Sequence, residues 1–337
     1  MSRLKVDNIE ARSGNNISVD DPLRLKNYTT SQKNALTAVA GDIVYDTDEA
    51  APFYYNGTTW KVMKDIPSLT VEYLLIAGGG GGSYSGVRGG GAGGAGGYRN
   101  SYNNETSGRN SSSEDGLNLG TGTAYTVTIG GGGGAVSNNH GTSGSNSVFA
   151  SVTATGGGGG GYLNASNGLN GGSGGGGGHA SGGGSGASGQ GFDGGGGRDA
   201  NPRFYGGGGG GAGSSGAQGS GDVTGAGGNG LDSAITGSTV GRAGGGAGGG
   251  ANYGSLTLGA MSDGGGGTAS TGGGGRGGGN ITGGATSGGS GFICLSYPSD
   301  YTITLAGGAS SSAGEQTSGT RRYIEIQSSG TVSWALG

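Results

Sequence analysis

Short runs of alternating apolar and polar residues recur along the chain, and they predict strands rather than helices. The first such runs are Leu4–Ile9 and Ile17–Leu25. The region from Gly41 to Met63 then reads as three strands, separated by an acidic turn and by Asn56-Gly57, the dipeptide that most strongly indicates a hairpin. Between these regions, Ser31–Val39 has the pattern of a short helix with Ser31 as its N-cap.

Further strand-like segments are rich in β-branched and aromatic residues and are bounded by Gly, Asn or Ser. They are Val71–Ala77, Tyr125–Ile129, Val148–Ala154, Ser255–Leu258, Gly291–Tyr297, Tyr301–Leu305, Arg322–Gln327 and Thr331–Leu336. The segments that start at Val71 and Gly291 bracket the most glycine-rich part of the chain, so we expect them to pair in one sheet. The single cysteine, Cys294, is expected to be a small buried hydrophobe in that sheet.

Glycine fills most of the sequence between these strands. It accounts for 97 of 337 residues, against an average usage of about 7%, and it occurs in runs such as Gly156–Gly161. Glycine buries no side chain and loses the most backbone freedom on folding. Collagen is excluded, because the chain has 5 prolines and no strict Gly-X-Y period. A flexible coil and an ordered backbone-bonded array remain, and the interspersed strands favour the array.

We therefore expect a mainly β fold in which short strands frame a bundle of polyglycine-II helices, the extended helices related to polyproline II. Such a molecule would be fibrous, and assembly as a homotrimer would compensate for a small apolar core. Composition divides the chain into three parts. Residues 1–67 form an N-terminal β module for attachment or trimerisation, residues 68–297 the glycine-rich domain, and residues 298–337 a C-terminal β segment.

The low charge content argues against several classes of function. Charged residues make up 11% of the chain and the net charge is −4, whereas nucleic-acid-binding proteins concentrate Lys and Arg. We expect no nucleic-acid partner, and no membrane insertion because no apolar run is long enough to span a bilayer. The N-terminal residues lack the apolar region of a secretory signal. A location outside the cell would then follow lysis of the producing cell.

No arrangement of residues indicates catalysis, so we expect that the chain is not an enzyme and carries no cofactor or metal. His140 and His179 lie among Gly, Ser and Asn residues and are expected in surface loops. Asp46, Asp48 and Glu49 lack the spacing of a calcium loop, and a solvated turn is the simpler interpretation.

Two inserts between the glycine runs, Tyr98–Asn110 and Arg198–Tyr205, combine aromatic, Arg and Asn side chains. Loops on a rigid scaffold concentrate binding residues, and Tyr and Arg are favoured at the centres of interfaces. The candidate receptor-binding residues are Tyr98, Arg99, Tyr102, Arg203, Phe204 and Tyr205. In the alternative interpretation, the aromatic members only cap the glycine bundle as its apolar contacts.

Several segments resemble virion proteins of tailed phages. These are Leu4–Ile9, Asp21–Lys26, Gly41–Asp46, Tyr55–Trp60, Val71–Gly82, Gly93–Arg99, Tyr125–Gly131 and Gly288–Ile293. The first four resemble the N-terminal modules of tail-fibre and other virion proteins, especially of marine cyanophages. The others look like the glycine-rich domain common in those proteins, and their composition is similar to the polyglycine-helix sandwich of long-tail-fibre tip adhesins. Residues 298–337 lie outside this resemblance.

The resemblance implies a phage virion structural protein, either a tail fibre or an adhesin-like protein, that contributes to host-surface recognition through a rigid glycine-rich domain. Its partners would be its own copies in a homotrimer, other tail or baseplate proteins, and a host cell-surface glycan or protein. Its location would be the virion tail. Two alternatives remain: a self-assembling extracellular filament without a receptor, joined through edge strands, and an ice-binding protein.

Overall fold

The structure is a computed structural model that describes residues 25–63, 69–163, 166–251, 257 and 259–337. It divides into two compact units, Met1–Ile66 and Pro67–Gly337. The strands expected at Leu4–Ile9 and Ile17–Leu25, and most of the one expected at Ser255–Leu258, lie outside the described residues. Among the described residues, no helix has the length and apolar character needed to cross a membrane.

The described part of the first unit, residues 25–63, forms one sheet and one short helix. Its elements are β1 (Asn27–Tyr28), α1 (Thr30–Asn34), β2 (Ile43–Asp46), β3 (Ala51–Tyr55) and β4 (Trp60–Val62). The strands lie in the order β1-β2-β3-β4, with β1 parallel to β2 and the other pairs antiparallel. The three strands predicted between Gly41 and Met63 are confirmed. Gly57 has a φ of +95°, which explains why the Asn56-Gly57 turn needs glycine.

The helix α1 begins two residues earlier than a Ser31 cap predicts, and it ends sooner. Thr29 is its N-cap: the Thr29 hydroxyl accepts a hydrogen bond from the Gln32 N–H, and the Gln32 side chain accepts one from the Thr29 N–H. This reciprocal capping box satisfies two backbone donors at once. The predicted helix Ser31–Val39 is therefore wrong in its cap and in its length.

An ion pair lies in the interior of the first unit. Lys33 Nζ is 2.7 Å from Asp46 Oδ2, and the two side chains are 5% and 0% exposed. The Lys33 ammonium also lies over the Phe53 ring. Burial favours the neutral form of Asp46, but Lys33 and the N–H groups of Glu49 and Asp48 outweigh it and lower the pKa of Asp46 to about 2. The predicted solvated turn is wrong for Asp46, because this side chain pairs with Lys33.

The second unit contains nineteen described strands. They are β5 (Thr70–Ile76), β6 (Ser83–Ser85), β7 (Tyr98–Asn100), β8 (Leu117–Asn118), β9 (Tyr125–Thr128), β10 (Val136–Ser137), β11 (Ser147–Phe149), β12 (Val152–Ala154), β13 (Arg198–Ala200) and β14 (Arg203–Tyr205). The others are β15 (Leu231–Ser233), β16 (Val240–Arg242), β17 (Gly250–Ala251), β18 (Gly278–Gly279), β19 (Phe292–Pro298), β20 (Tyr301–Ala306), β21 (Gln316–Ser318), β22 (Arg321–Ile326) and β23 (Gly330–Leu336).

Most of the strands predicted in this unit are confirmed close to their predicted bounds. The exception is Val148–Ala154, which forms the two strands β11 and β12 instead of one. Ala150 lies in the turn between them with a φ of +50°. The turn reverses the chain, so that β11 and β12 pair antiparallel.

Two large sheets share one apolar core. One has the strand order β21-β22-β19-β5-β7 with β8 beside β5, and the other has the order β12-β11-β9-β23-β20; we call the pair the β-sandwich. Strands β5 and β19 pair antiparallel, with Phe292 opposite Ile76. This confirms that the two ends of the glycine-rich part meet in one sheet. Cys294 is buried there, as predicted, and burial raises the pKa of its thiol.

The alternation of side chains in β5 divides the core into two clusters. Tyr73 and Leu75 point into the β-sandwich and join a cluster that includes Phe149 and Trp334. Leu74 and Ile76 point to the opposite face, where they pack with alanines of the glycine-rich runs. Successive strand residues face opposite sides of a sheet. A single strand therefore contributes to the sandwich core and also supports the base of the glycine-rich region.

Glycine-rich runs connect the strands and turns of this unit, and we call these runs together the glycine array. It consists of residues 77–82, 89–97, 129–135, 141–146, 155–161, 166–172, 173–178, 181–186, 191–197, 206–212, 214–218, 225–230, 242–249, 259–262, 272–278 and 284–291. Their backbone N–H groups bond to other runs with a period of three. In the run 89–97, the N–H groups of Gly90, Gly93 and Gly96 donate to the run 272–278. Those of Gly91, Gly94 and Gly97 donate to the run 155–161, and those of Ala92 and Ala95 to the run 206–212.

Neighbouring runs can lie antiparallel. The run 166–172 is antiparallel to the run 155–161, because the N–H groups of Leu169 and Gly172 donate to the carbonyls of Gly159 and Gly156.

The expected bundle of polyglycine-II helices is wrong. The fold is nearly all β, with about 32% strand and 3% helix. Helix in the described part of the chain is confined to α1 and to a three-residue 3-10 turn at Gly108–Asn110. The non-glycine segments between the runs pair with one another in several sheets. The glycine runs connect these sheets through hydrogen bonds between segments, and no helical bundle forms among the described residues.

Glycine is required at most positions of the array because the neighbouring backbone lies too close for a side chain. A methyl group at Gly93 would overlap the carbonyl of Gly80, and one at Gly209 would overlap the carbonyl of Gly93. The space that a side chain would occupy is filled by the peptide groups of the next run. Close approach of backbones is one of the roles that only glycine fills.

Candidate recognition surface

The runs of the glycine array alternate in direction, so their turns gather at two ends. Residues 77–82 leave the six-stranded sheet after β5, and residues 89–97 return to it at β7. The two runs are antiparallel, since Gly80 and Ser83 donate to the carbonyls of Gly94 and Gly91. We call the end at the six-stranded sheet the base and the opposite end the tip.

The described turns at the tip form one surface, which we call the tip surface. It comprises residues 83–88, 136–140, 179–180, 198–205, 220–223 and 279–283. Three of these turns are joined by the parallel sheet β10-β6-β18. The hairpin β13–β14 adds strand β17 on its other side. Short strand pairings thus fix the turns relative to one another at the ends of the runs.

The first group of candidate residues lies at the base. Tyr98 is buried in β7, and its hydroxyl lies 3.4 Å from the carbonyl of Asp232. The Arg99 guanidinium lies 2.7 Å from the Glu114 carboxylate. Tyr102 is half-buried and packs beside the alanine-rich cluster under the array. These three side chains support the junction between the six-stranded sheet and the array.

The second group lies at the tip, in the hairpin β13–β14. Arg203 is partly exposed and forms an ion pair with Asp222. Phe204 is half-buried, and the Arg88 guanidinium lies 5.2 Å from its ring centroid. Tyr205 is buried, and its hydroxyl donates to the carbonyl of Gly221. Only the first two of these candidate side chains present accessible surface.

The structure does not bring the two candidate groups together. The run 89–97 begins beside Phe204 and ends at Tyr98. A second run, 206–212, leads from Tyr205 to Ala212, whose carbonyl accepts a hydrogen bond from the Arg109 N–H. Since these runs lead from the tip to the base, the two groups lie at opposite ends of the array.

His179 lies in the interior of the tip, so the prediction of a surface-loop histidine is wrong. The residue is 1% exposed, and its ring packs edge-on against Phe204 at a centroid distance of 4.7 Å. Its Nε2 lies 3.3 Å from Asp199 Oδ2. Burial disfavours the imidazolium and lowers the pKa of His179, although Asp199 opposes this shift. Packing against the hairpin explains its burial, which its polar sequence neighbours did not indicate.

Sequence reasoning missed several apolar side chains that the tip exposes. Val87 is 62% exposed, and Val223 and Ile281 are also exposed. Each lies in a short turn between two glycine runs, a position that could have been found by marking every interruption of the glycine pattern. Among the described residues, no group of three or more His, Cys, Asp or Glu side chains is placed to hold a metal.

A family model for a glycine-rich domain matches residues 56–298. The chain belongs to this glycine-rich domain family. The match begins in the hairpin of the first unit, spans the glycine array and ends in β19. The predicted glycine-rich domain is thereby confirmed, whereas the resemblance to phage tail fibres stays a prediction. No curated protein matches the chain in a sequence comparison.

Proposed function

We propose that this glycine-rich domain protein is a virion structural protein of a tailed phage, a tail fibre or adhesin-like component that contributes to host-surface recognition. The observation that carries the proposal is the alternation of the glycine runs, which collects several short non-glycine turns on the tip surface. Binding residues concentrate on loops that a rigid scaffold holds in place. The sequence resemblance to tail-fibre and adhesin proteins supports the same role.

The tip has the composition of a recognition surface. It exposes Val87 and Ile281 beside partly exposed Arg88 and Arg203. Arg is enriched at the energetically important positions of protein interfaces, and the core of an interface is more apolar than its rim. The base carries the large apolar clusters and the ion pair of Arg99 with Glu114. The tip is therefore the end proposed to meet a host receptor.

Self-association belongs to the same proposal. In the first unit, Val44 is the only described hydrophobic residue that is fully buried, while the cross-strand pair Ile43 and Tyr54 is 46% and 41% exposed. A unit with so small a core gains stability by assembly. We propose that copies of the chain form a homotrimer within the virion tail, in contact with other tail or baseplate proteins. Release would follow lysis of the host.

The recognition role is tested by the binding of fluorescently labelled protein to a panel of bacterial strains. We expect a variant with Val87→Glu and Arg203→Ala at the tip to lose most cell binding. A matched variant at the base, Tyr102→Ala, should bind as the unchanged protein does. Undiminished binding by the tip variant, at an unchanged melting temperature, would contradict the proposal.

An extracellular filament without a receptor is the second candidate. It is favoured by the edge strand β21, in which Gln316, Thr317 and Ser318 are all exposed. Exposed edges can pair with another chain. Light scattering during size exclusion separates the two candidates: a discrete trimer supports the tail-fibre proposal, and open, concentration-dependent polymers support the filament.

A further inference from the structure

A recess opens in the tip surface beside strands β10, β6 and β18. Its volume is about 430 Å³, and its walls include Tyr84, Val136, Ser137, Asn280 and Gly284. Ligand pockets in proteins span about 300–1,000 Å³. The recess therefore has room for a short small-molecule ligand, but a folded protein domain could only cover its mouth.

Tyr84 lies in the middle strand of this three-stranded parallel sheet. Its neighbours across the sheet are Ser137 on one side and Gly278 on the other. A methyl group at Gly278 would overlap the Tyr84 ring. Because the neighbouring positions on that side are glycines, no side chain covers the ring there, and Tyr84 remains half-buried. The ring offers a flat apolar surface inside the recess.

The remaining walls are uncharged and include two polar side chains. Ser137 and Asn280 are exposed, and the residues that line the recess include no Asp, Glu, Lys or Arg. A hydroxyl can donate and accept hydrogen bonds, and a carboxamide can do both as well. The recess therefore combines one aromatic face with neutral groups of both hydrogen-bonding kinds.

Backbone hydrogen bonds hold the glycine side of the recess in place. Gly279 and Gly283 donate to each other's carbonyls at 2.9 Å. Arg276 Nη2 donates to the carbonyl of Gly284 at 3.0 Å. A wall that is fixed before binding loses little conformational freedom when a ligand enters, and this favours affinity.

We propose that this recess binds a short neutral saccharide, an inference that rests on the proposed recognition function. A pyranose has a face of C–H groups and a rim of hydroxyl groups. The C–H face would pack against the electron-rich face of the Tyr84 ring, and the rim would bond to Ser137 and Asn280. A sialylated or sulfated saccharide would bring a negative charge to a recess whose lining residues include no cation, and the nearby Arg276 guanidinium already donates to the carbonyl of Gly284.

The experiment measures binding of the full chain to immobilised neutral oligosaccharides of glucose, galactose and N-acetylglucosamine, with sialylated and sulfated saccharides for comparison. Two variants remove the site in different ways. Tyr84→Ala deletes the aromatic face, and Gly284→Phe fills the recess from a position where an added Cβ meets nothing within 4 Å. Tyr84→Phe keeps the ring, and Tyr102→Ala changes a half-buried tyrosine at the base.

We expect the unchanged chain to prefer a neutral saccharide, and Tyr84→Ala and Gly284→Phe each to weaken that binding by at least about tenfold. Tyr84→Phe should bind within about threefold of the unchanged chain, and Tyr102→Ala should be unaffected. Thermal unfolding of each variant checks that the fold is retained. Equal binding by Gly284→Phe, or a preference for the acidic saccharides, overturns the inference.

Binding to cells separates this inference from the recognition role on which it rests. A chain that binds cells but no neutral saccharide contradicts the saccharide site and leaves the recognition role standing. A chain that binds neither cells nor saccharides contradicts both.

Discussion

Strands β5 and β19 lie between the β-sandwich and the glycine array, and side chains fill the first region, whereas most positions of the second leave no room for them. In the sandwich, Trp334, Phe149 and Leu75 occupy the space between two sheets and are almost completely buried. In the array, the same space is occupied by peptide groups of neighbouring runs. The first region is stabilised by burial of apolar area, and the second by backbone hydrogen bonds that no side chain interrupts.

This difference predicts opposite responses to a change in side-chain volume. Removing atoms from the sandwich costs the lost burial of those atoms plus a term for the cavity they leave, while the surrounding backbone stays in place. Adding one carbon to the array forces backbones apart, and the hydrogen bonds of several runs fail together. The array is therefore the region that tolerates less change, although it holds less apolar surface.

The largest effect is expected from Gly93→Ala in the middle of the array. The new methyl would overlap the Gly80 carbonyl, and the backbone cannot shift because the Gly93 N–H donates to Gly275 at 2.8 Å and its carbonyl accepts from Gly246 at 3.2 Å. We expect a loss above the roughly 3–5 kcal/mol that truncation of a large buried aromatic ring costs, because overpacking here displaces backbone rather than side chains. Calorimetric unfolding of the purified variant measures it.

A matched glycine in the same array provides the control for this prediction. At Gly131 an added Cβ meets nothing within 4 Å, so Gly131→Ala should change stability by less than about 0.5 kcal/mol. Equal destabilisation by both variants would show that close packing of the runs does not explain the need for glycine.

A smaller loss is expected from Trp334→Ala in the β-sandwich. The Trp334 ring packs against Tyr297 and Phe149 at centroid distances of 5.7 and 6.4 Å. Its truncation should cost about 3–5 kcal/mol, measured by chemical denaturation. The indole Nε1 has no hydrogen-bond partner among the described residues, so Trp334→Phe should cost clearly less. If both variants lost the same stability, ring volume would not be the cause.

The smallest loss of stability should come from protonating Asp46 in the buried ion pair of the first unit. This ion pair stabilises the protein by a third means, distinct from apolar burial and from the hydrogen bonds of the array. The folded pKa of Asp46 is about 2, below its ordinary value of 3.8. The carboxylate therefore contributes its full stability above about pH 4, and this contribution is lost as the pH falls toward 2. Trp60 fluorescence, recorded in a Trp334→Phe background, should report an acid transition in this range. The transition should flatten in Asp46→Asn, and an unchanged transition would assign it to other groups.

Local patterns predicted the strands well but not their assembly. The strand at Val71 and the Asn56-Gly57 turn are determined by residues adjacent in sequence, and both predictions were confirmed. The partners of a glycine N–H lie far away in sequence, as with Gly79 and Gly289. Composition alone therefore suggested a helical bundle that the structure does not contain.

The candidate site was only partly predictable for the same reason. Sequence inspection identified both non-glycine inserts as recognition segments, and it assigned them equal standing. Whether an insert lies at the tip or at the base depends on how many times the chain has reversed before it. Tyr98 follows a returning run and Arg203 follows an outgoing one, and this difference becomes visible only when the runs are paired.

The alternating direction of the glycine runs also has a mechanical consequence. Hydrogen bonds between the runs lie across the line that joins the tip to the base, so a pull on the tip would load many of them in shear at the same time. Bonds loaded in parallel share the force, whereas bonds loaded one after another break in sequence like a zipper. A molecule tethered at its base and held at its tip would therefore resist tension along its runs far better than peeling from one side.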